Sequence, residues 1–376
     1  MIFLDNASTT KLDREVWSII EKYSFDEFYN PSAPYYRAKE ISNKIKDAKN
    51  LIIKALNGAS GSNFIFTSSA TESNNSVLLG QLNKRFKKVL ISSGEHNSIS
   101  STITEIERKG FEVILINLNK DGQVDIDDFK AKMDDNVGLV SIIHASNETG
   151  AVNDIETLVK ITKAINPNCL FHCDGVQAFG KIKVDLKSLN VDYYTISAHK
   201  IHGPKGIAGL YVKSNFKPYI LGGGQQEGLR SGTENVPNIF AFANICERLD
   251  YAKNYDFIVK LRNEFIKTIR INENIIINNF ANSSPYILSL ILKGVNGETI
   301  VNALEKYDIF VGLGSACSSK KVGNATLEAI GFNKEIVKGS IRISFDASNT
   351  VEEVVEAGKK ILEIYESLYN QVNRRK

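Results

Sequence analysis

A chain of 376 residues with 43% hydrophobic and 24% charged side chains has the make-up of a soluble globular protein, long enough for two lobes. Its 46 basic and 43 acidic side chains leave a net charge of +3 with no dense basic block. That gives no footing for nucleic acid or an anionic membrane, and Arg374-Arg375-Lys376 reads as a solvated end. Met1 to Asn6 carry neither a basic nor a long apolar stretch, no apolar run approaches a membrane span, and four cysteines make no disulfide framework. A cytoplasmic setting is expected.

In chain order, residues 16–23 and 36–56 have helical spacing, the second with Ile41, Ile45, Ala48, Ile52 and Ala55 on one face. Residues 63–67 read as a strand that runs into Ser68-Ser69-Ala70-Thr71-Glu72-Ser73, with a helix expected over 77–82. Residues 88–92, 111–116 and 137–143 are near-continuous apolar runs, the pattern of strands buried on both faces of a mostly parallel sheet. Helical stretches at 99–109 and 156–164 separate them, which predicts a three-layer α/β lobe. After about Asn254 the pattern changes: helices over 257–269, 299–305 and 351–368, and strands over 287–292 and 340–345. The expected division is a large α/β domain over 14–254 and a small α+β domain from 1–13 and 255–376.

The apolar run 192–196 ends in Ser197, His199 and Lys200 before Gly203-Pro204-Lys205-Gly206 breaks it. A lysine at a strand end can be desolvated and made nucleophilic, as Schiff-base lysines are. The run Leu170-Phe171-His172-Cys173-Asp174 ends in a lone acid. Together they match what pyridoxal phosphate requires, a lysine for the aldehyde and an acid for the pyridinium nitrogen. The turn Ser69-Ala70-Thr71-Glu72 is either an anion cup at a helix start or a plain capping box. Glu95-His96 and Asn147-Glu148-Thr149-Gly150 follow strands, where ligands bind in open α/β sheets. The glycine-rich stretch 222–233 embeds Arg230 and Thr233 and reads as a connector or a close-approach loop. Cys317 sits among small residues, unlike Cys169, Cys173 and Cys246, and is the candidate nucleophile. Arg342 is either a surface charge or a carboxylate clamp.

These motifs, in this order and together with Leu4-Asp5-Asn6-Ala7-Ser8-Thr9-Thr10, resemble the cysteine desulfurase family, in particular the branch that supplies sulfur for iron–sulfur clusters. The resemblance spans nearly the whole chain and implies the class V aminotransferase group on fold type I, a seven-stranded-type sheet in the large lobe. It implies that Lys200 holds the aldehyde of pyridoxal 5'-phosphate and later moves protons. Asp174 would pair with the pyridine nitrogen, and His96 would stack on the ring. Gln177 and Asn147 would bond the phenolic oxygen or orient the ring, Asn147 also facing the substrate. Ala70, Thr71, Ser197 and His199 would hold the phosphate, and Thr233 the phosphate of the other subunit of a homodimer. Arg342 would clamp the carboxylate of L-cysteine. Cys317 would take the sulfur as a persulfide, leaving L-alanine, and pass it to an acceptor such as an iron–sulfur scaffold or a carrier for tRNA thiolation. No resident metal is implied, while a transient cluster-ligand role for Cys317 stays open.

Three departures from the family pattern stand out. Gln225-Gln226-Glu227-Gly228 replaces the usual Gln-Glu-Arg-Gly, Leu313 stands where a serine is usual, and 320–324 lacks the common Leu-Glu-Pro run. A selenocysteine lyase or another class V aminotransferase is the alternative enzyme. A degenerate assembly partner is the non-enzymatic one.

Overall fold

The computed structural model describes residues 1–270, 272–278, 280–314 and 325–374. Its strands are β1 (Ile2–Leu4), β2 (Asn63–Thr67), β3 (Lys88–Ser92), β4 (Glu112–Ile116), β5 (Val137–Ile143) and β6 (Leu170–Asp174). Then come β7 (Tyr193–Ser197), β8 (Ala208–Val212), β9 (Ile275–Asn278), β10 (Ile287–Leu292), β11 (Ile309–Leu313) and β12 (Ser340–Ser344). Seven of them form one sheet in the order β2-β8-β7-β6-β5-β3-β4. The pairs from β7 to β4 are parallel, and β8 runs antiparallel to both β7 and β2.

The expected runs become strands because both faces of this sheet are covered. β5 is buried along nearly its whole length, and no residue of β7 or β8 reaches solvent. The helices Tyr36–Ala55 and Val236–Arg248 pack on one side with Ile41, Ile45, Ile52, Ile239 and Phe242 in the core. Val77, Leu78, Ile99 and Ile106 fill the other side. β8 was not expected from the sequence, because Gly209 interrupts its apolar pattern. A Cβ there would come within 2.1 Å of the Phe64 ring on the neighbouring strand, so the packing of β2 requires the glycine.

The second sheet has the order β1-β11-β12-β10-β9, with β1 parallel to β11 and the remaining pairs antiparallel. Helices Tyr251–Ile269 and Val351–Arg374 cover it, burying Ile258, Leu261, Phe265, Val354 and Ile361. The first of these helices starts six residues before the expected 257, because the Asp250 carboxylate accepts from the backbone N–H groups of Ala252 and Lys253 and caps it. Likewise the helix expected at 77–82 spans Ala70–Leu78, starting directly at its cap Ser69. Among the described residues no helix is long and apolar enough to cross a membrane.

Candidate active site

β6 and β7 are parallel neighbours, with Asp174 opposite Thr195. Their carboxyl ends therefore deliver Asp174 and, through the single 3-10 turn Ala198–Lys200, Lys200 to the same edge of the sheet. The two line one cavity of about 340 Å3, and Ala70, Thr71, His96, Asn147, Gln177, His199 and Arg342 share it. Ser197 lies beside it, in an adjoining cavity of about 330 Å3 that also contains Ser69, His199 and Lys205. Cys317 lies outside the described residues.

Asp174 is 3% exposed. Its Oδ1 accepts from the Val176 N–H at 3.0 Å and its Oδ2 from Asn74 Nδ2 at 2.9 Å, so each oxygen has a donor. Lys200 Nζ donates to the carbonyls of Ala7 (2.7 Å) and Ser8 (2.6 Å), which ties the N-terminal segment over the sheet edge. The Ala7 carbonyl also accepts from Gln177 Nε2 at 2.9 Å, and Gln177 Oε1 accepts from Lys181 Nζ at 2.7 Å. A carbonyl only accepts, so Ala7 fixes which way the Gln177 amide faces, with its Oε1 toward Lys181. Burial first, and then the Lys200 charge, bring Lys181 down to about 7.

At the start of the helix Ala70–Leu78, Ser69 Oγ accepts from the Glu72 N–H at 3.2 Å. The capping reading of that turn holds, and Ser69, Ala70 and Thr71 also line the cavity. Burial works to raise the Glu72 carboxyl, but hydrogen bonds from Arg230 and Ser68 outweigh it and hold Glu72 below its usual range. The Arg230 fork is bidentate, Nε to Oε1 at 2.8 Å and Nη2 to Oε2 at 3.1 Å, and pins the glycine-rich loop to the helix start. That loop carries Thr233, which lines a separate cleft of about 170 Å3 with Ser68 and Arg230.

Burial lowers His96, with Lys200 and Arg342 adding to the effect and Asp174 opposing it. His199 is pushed down to about 4, by burial and then by the charges of Lys200, Lys205 and Lys181. Glu95 is pushed up to about 8 by burial, its Oε1 accepting from Ser92 Oγ at 2.5 Å and the Ile143 N–H at 2.7 Å. Arg342 is 8% exposed in β12, which excludes the surface-charge reading. Its Nη1 donates to the Asn147 carbonyl at 3.0 Å, its Nη2 to Asp5 Oδ1 at 2.9 Å, and Glu148 Oε1 lies 3.6 Å away. Asn147 Nδ2 donates to Glu148 at 2.8 Å. His172 bonds Ser141 and Thr195 inside the sheet, and the neighbouring thiols are raised by burial, Cys169 to about 12.

The residues present fit pyridoxal phosphate. The main cavity offers a lysine amine, a carboxylate held by two donors and a capped helix start, and the adjoining cavity adds hydroxyls and Lys205.

The family model for class-V aminotransferases matches residues 2–356. A "NifS/IcsS protein homolog" of Lactobacillus delbrueckii subsp. bulgaricus is 36% identical, over 99% of each chain. A "Cysteine desulfurase IscS" of Dictyoglomus turgidum is 35% identical over 94% of this chain and 91% of its own. A NifS-like protein of known structure shares 32% identity at a TM-score of 0.90, covering 98% of this chain and 100% of that one. The chain belongs to the cysteine desulfurase branch of the class-V aminotransferases. Its fold is therefore fold type I, and its family works with pyridoxal phosphate.

Three residues of this class-V site escaped the sequence reading, Asn74, Ser98 and Lys181, while Asp5 was read only as part of a motif. Asn74 alone had a usable signal. It is a polar residue one turn after Thr71, in a helix whose other inward residues pack on the sheet.

Proposed function

We propose that the protein is a pyridoxal-phosphate-dependent desulfurase that converts L-cysteine to L-alanine and passes the sulfur through Cys317. The observation that carries this is the convergence of Lys200, Asp174, His96 and Arg342 on one cavity beside an anion cup. Lys200 would hold the cofactor aldehyde, Asp174 would pair with the ring nitrogen, and Ala70, Thr71, Ser197 and His199 would hold the phosphate. When bound, pyridoxal phosphate supplies the electron sink that acidifies the substrate Cα–H.

Arg342 would receive the substrate carboxylate, and the free Lys200 amine would take the Cα proton and give it back to Cα when alanine forms. The Cys317 thiolate attacks the substrate sulfur, forming an S–S bond while the Cβ–S bond breaks. The bonding pair leaves with Cβ, which is protonated to the methyl of alanine. The persulfide goes to an acceptor protein, an iron–sulfur scaffold or a sulfur carrier. Thr233, on the loop pinned by Arg230 and in a cleft of its own, supports a homodimer in which this residue serves the partner's phosphate.

Product analysis tests the reading. Incubation with L-cysteine and a thiol reductant is expected to give alanine and sulfide in equal amounts. Keto acid formation from other amino acids, with cysteine untouched, would overturn it in favour of a transaminase.

A further inference from the structure

Asn74 is fully buried in the helix Ala70–Leu78 and gives both of its amide hydrogens away. One goes to Asp174 Oδ2 at 2.9 Å, the other to Ser98 Oγ at 2.8 Å. An ionised carboxylate only accepts, so the nitrogen and not the oxygen of the amide has to face Asp174. The consequence is visible on the other side, where Asn74 Oδ1 is buried with no hydrogen-bond partner among the described residues. Such an orphan is unfavourable, and the two donor bonds hold the amide against turning over.

The Ser98 backbone N–H sets the direction of the rest of the chain. Ser98 Oγ accepts from Asn74, which leaves its one hydrogen for His96 Nδ1 at 2.8 Å. The Ser98 backbone N–H also donates to that nitrogen, at 3.1 Å. A backbone N–H cannot accept, so Nδ1 carries a lone pair and the proton of the neutral ring sits on Nε2.

We infer that Asn74 and Ser98 are positioning residues that lock His96 as the neutral Nε2–H ring, a hydrogen-bond donor toward the bound substrate and not the base that takes its Cα proton. The inference rests on the proposed reading of the cavity, which gives His96 something to face. To act as a base, Nε2 would have to give up its proton, and moving that proton to Nδ1 would break both bonds from Ser98. The Cα proton is left to Lys200. The charged groups facing His96 are Asp174 from β6, Lys200 from the turn after β7, and Arg342 from β12. Glu95 precedes it in the chain, with its own carboxyl buried. Only Asp174 favours a cationic ring, and burial together with the two cations outweighs it.

Nitrogen-15 NMR of the imidazole rings tests this on the full-length, cofactor-loaded protein, whose five histidines make assignment tractable against His96→Gln. The expected result is an unprotonated Nδ1 and a protonated Nε2 on His96 across about pH 6 to 8.5. In Ser98→Ala, with one of the two bonds to Nδ1 lost, the ring's midpoint should rise by up to about 1 unit. The same ionisation should then appear in the acid limb of the kcat/KM profile, and Ser98→Thr should restore the wild-type behaviour. A protonated Nδ1 in the wild type, or a Ser98→Ala protein whose His96 titrates unchanged, would overturn the inference. A protein inactive on cysteine that still shows the Nε2–H ring supports it and overturns only the proposed substrate.

Discussion

Arg342 Nη2 donates to Asp5 Oδ1 at 2.9 Å, so the guanidinium proposed to receive a substrate carboxylate already grips one. A second carboxylate, Glu148, stands 3.6 Å from Nη1. The buried cation is thus kept paired, and on the proposed reading substrate binding would exchange one carboxylate for another. Arg342→Ala should raise KM for cysteine by roughly 10- to 100-fold, the worth of a charge-assisted pair at about 1.5–3 kcal/mol. Arg342→Lys should recover little, since the fork is lost. Asp5→Asn removes the competitor and should lower KM by a few-fold with kcat held, which steady-state kinetics will read.

Gly312 stands against the same pair. A Cβ there would lie 2.5 Å from Asp5 Oδ1 and 2.9 Å from Arg342 Nη2, both pinned side chains. Gly312→Ala is expected to cost about 1–3 kcal/mol as overpacking. It should raise KM along with the loss in melting temperature, whereas an open-surface glycine would show neither.

His202 connects three parts of the chain. Its Nδ1 donates to the Lys11 carbonyl at 3.0 Å and its Nε2 to Asp346 Oδ2 at 2.9 Å, so the ring is an imidazolium. The Asp346 hydrogen bond raises His202 above 6.5. Burial works to raise Asp346, but the bond and charge of His202 outweigh it and hold this carboxyl at about 2. A raised histidine contributes stability that is complete below 6.5 and fades as pH climbs through its folded value. A depressed aspartate contributes above 3.8 and loses its share as pH falls through about 2. The pair is therefore fully effective between about 4 and 6.5. Thermal melts should show His202→Gln below wild type by up to about 1 kcal/mol at pH near 5.5, discounted because the ring is 39% exposed. The gap should close toward pH 9.

The unusual Gln226-Glu227 pair has a structural partner. Gln226 is buried and its amide bonds both the N–H and the carbonyl of Phe66, each at 2.7 Å, closing the edge of β2 as another strand would. Glu227 lies 3.6 Å from Lys49 Nζ, a cation with a side chain only 6% exposed and no hydrogen bond among the described residues. The negative charge in place of the family's positive one thus answers a buried lysine. Glu227→Arg should destabilise the fold by about 1–3 kcal/mol, less than the 3–5 of a fully buried broken pair because Glu227 is half exposed. Adding Lys49→Met should recover most of it, a coupling that denaturant melts of the double-mutant cycle will measure.

What could be read from the sequence depended on how local the cause was. β5 and β10 were delimited to the residue because a run buried on both faces leaves a near-continuous apolar record, broken only by small residues. Asp174 and Lys200 were readable because a charged residue closing such a run has few places to be. Asn74 left a mark only as a polar residue on a buried helix face, and its role and that of Ser98 lie in contacts with Asp174 and with each other across 100 and 24 residues of chain. Lys181 looked like any surface lysine until its contact with Gln177 was seen. Asp5 was visible as part of a motif but not as the partner of Arg342, 337 residues away.

The measurement that bears most directly on the account is alanine and sulfide production from L-cysteine with dithiothreitol, for wild type and Cys317→Ala side by side. Equimolar products from the wild type and none from the variant are predicted. Undiminished sulfide from Cys317→Ala, or a yellow, cofactor-loaded wild type that makes neither product, would contradict it.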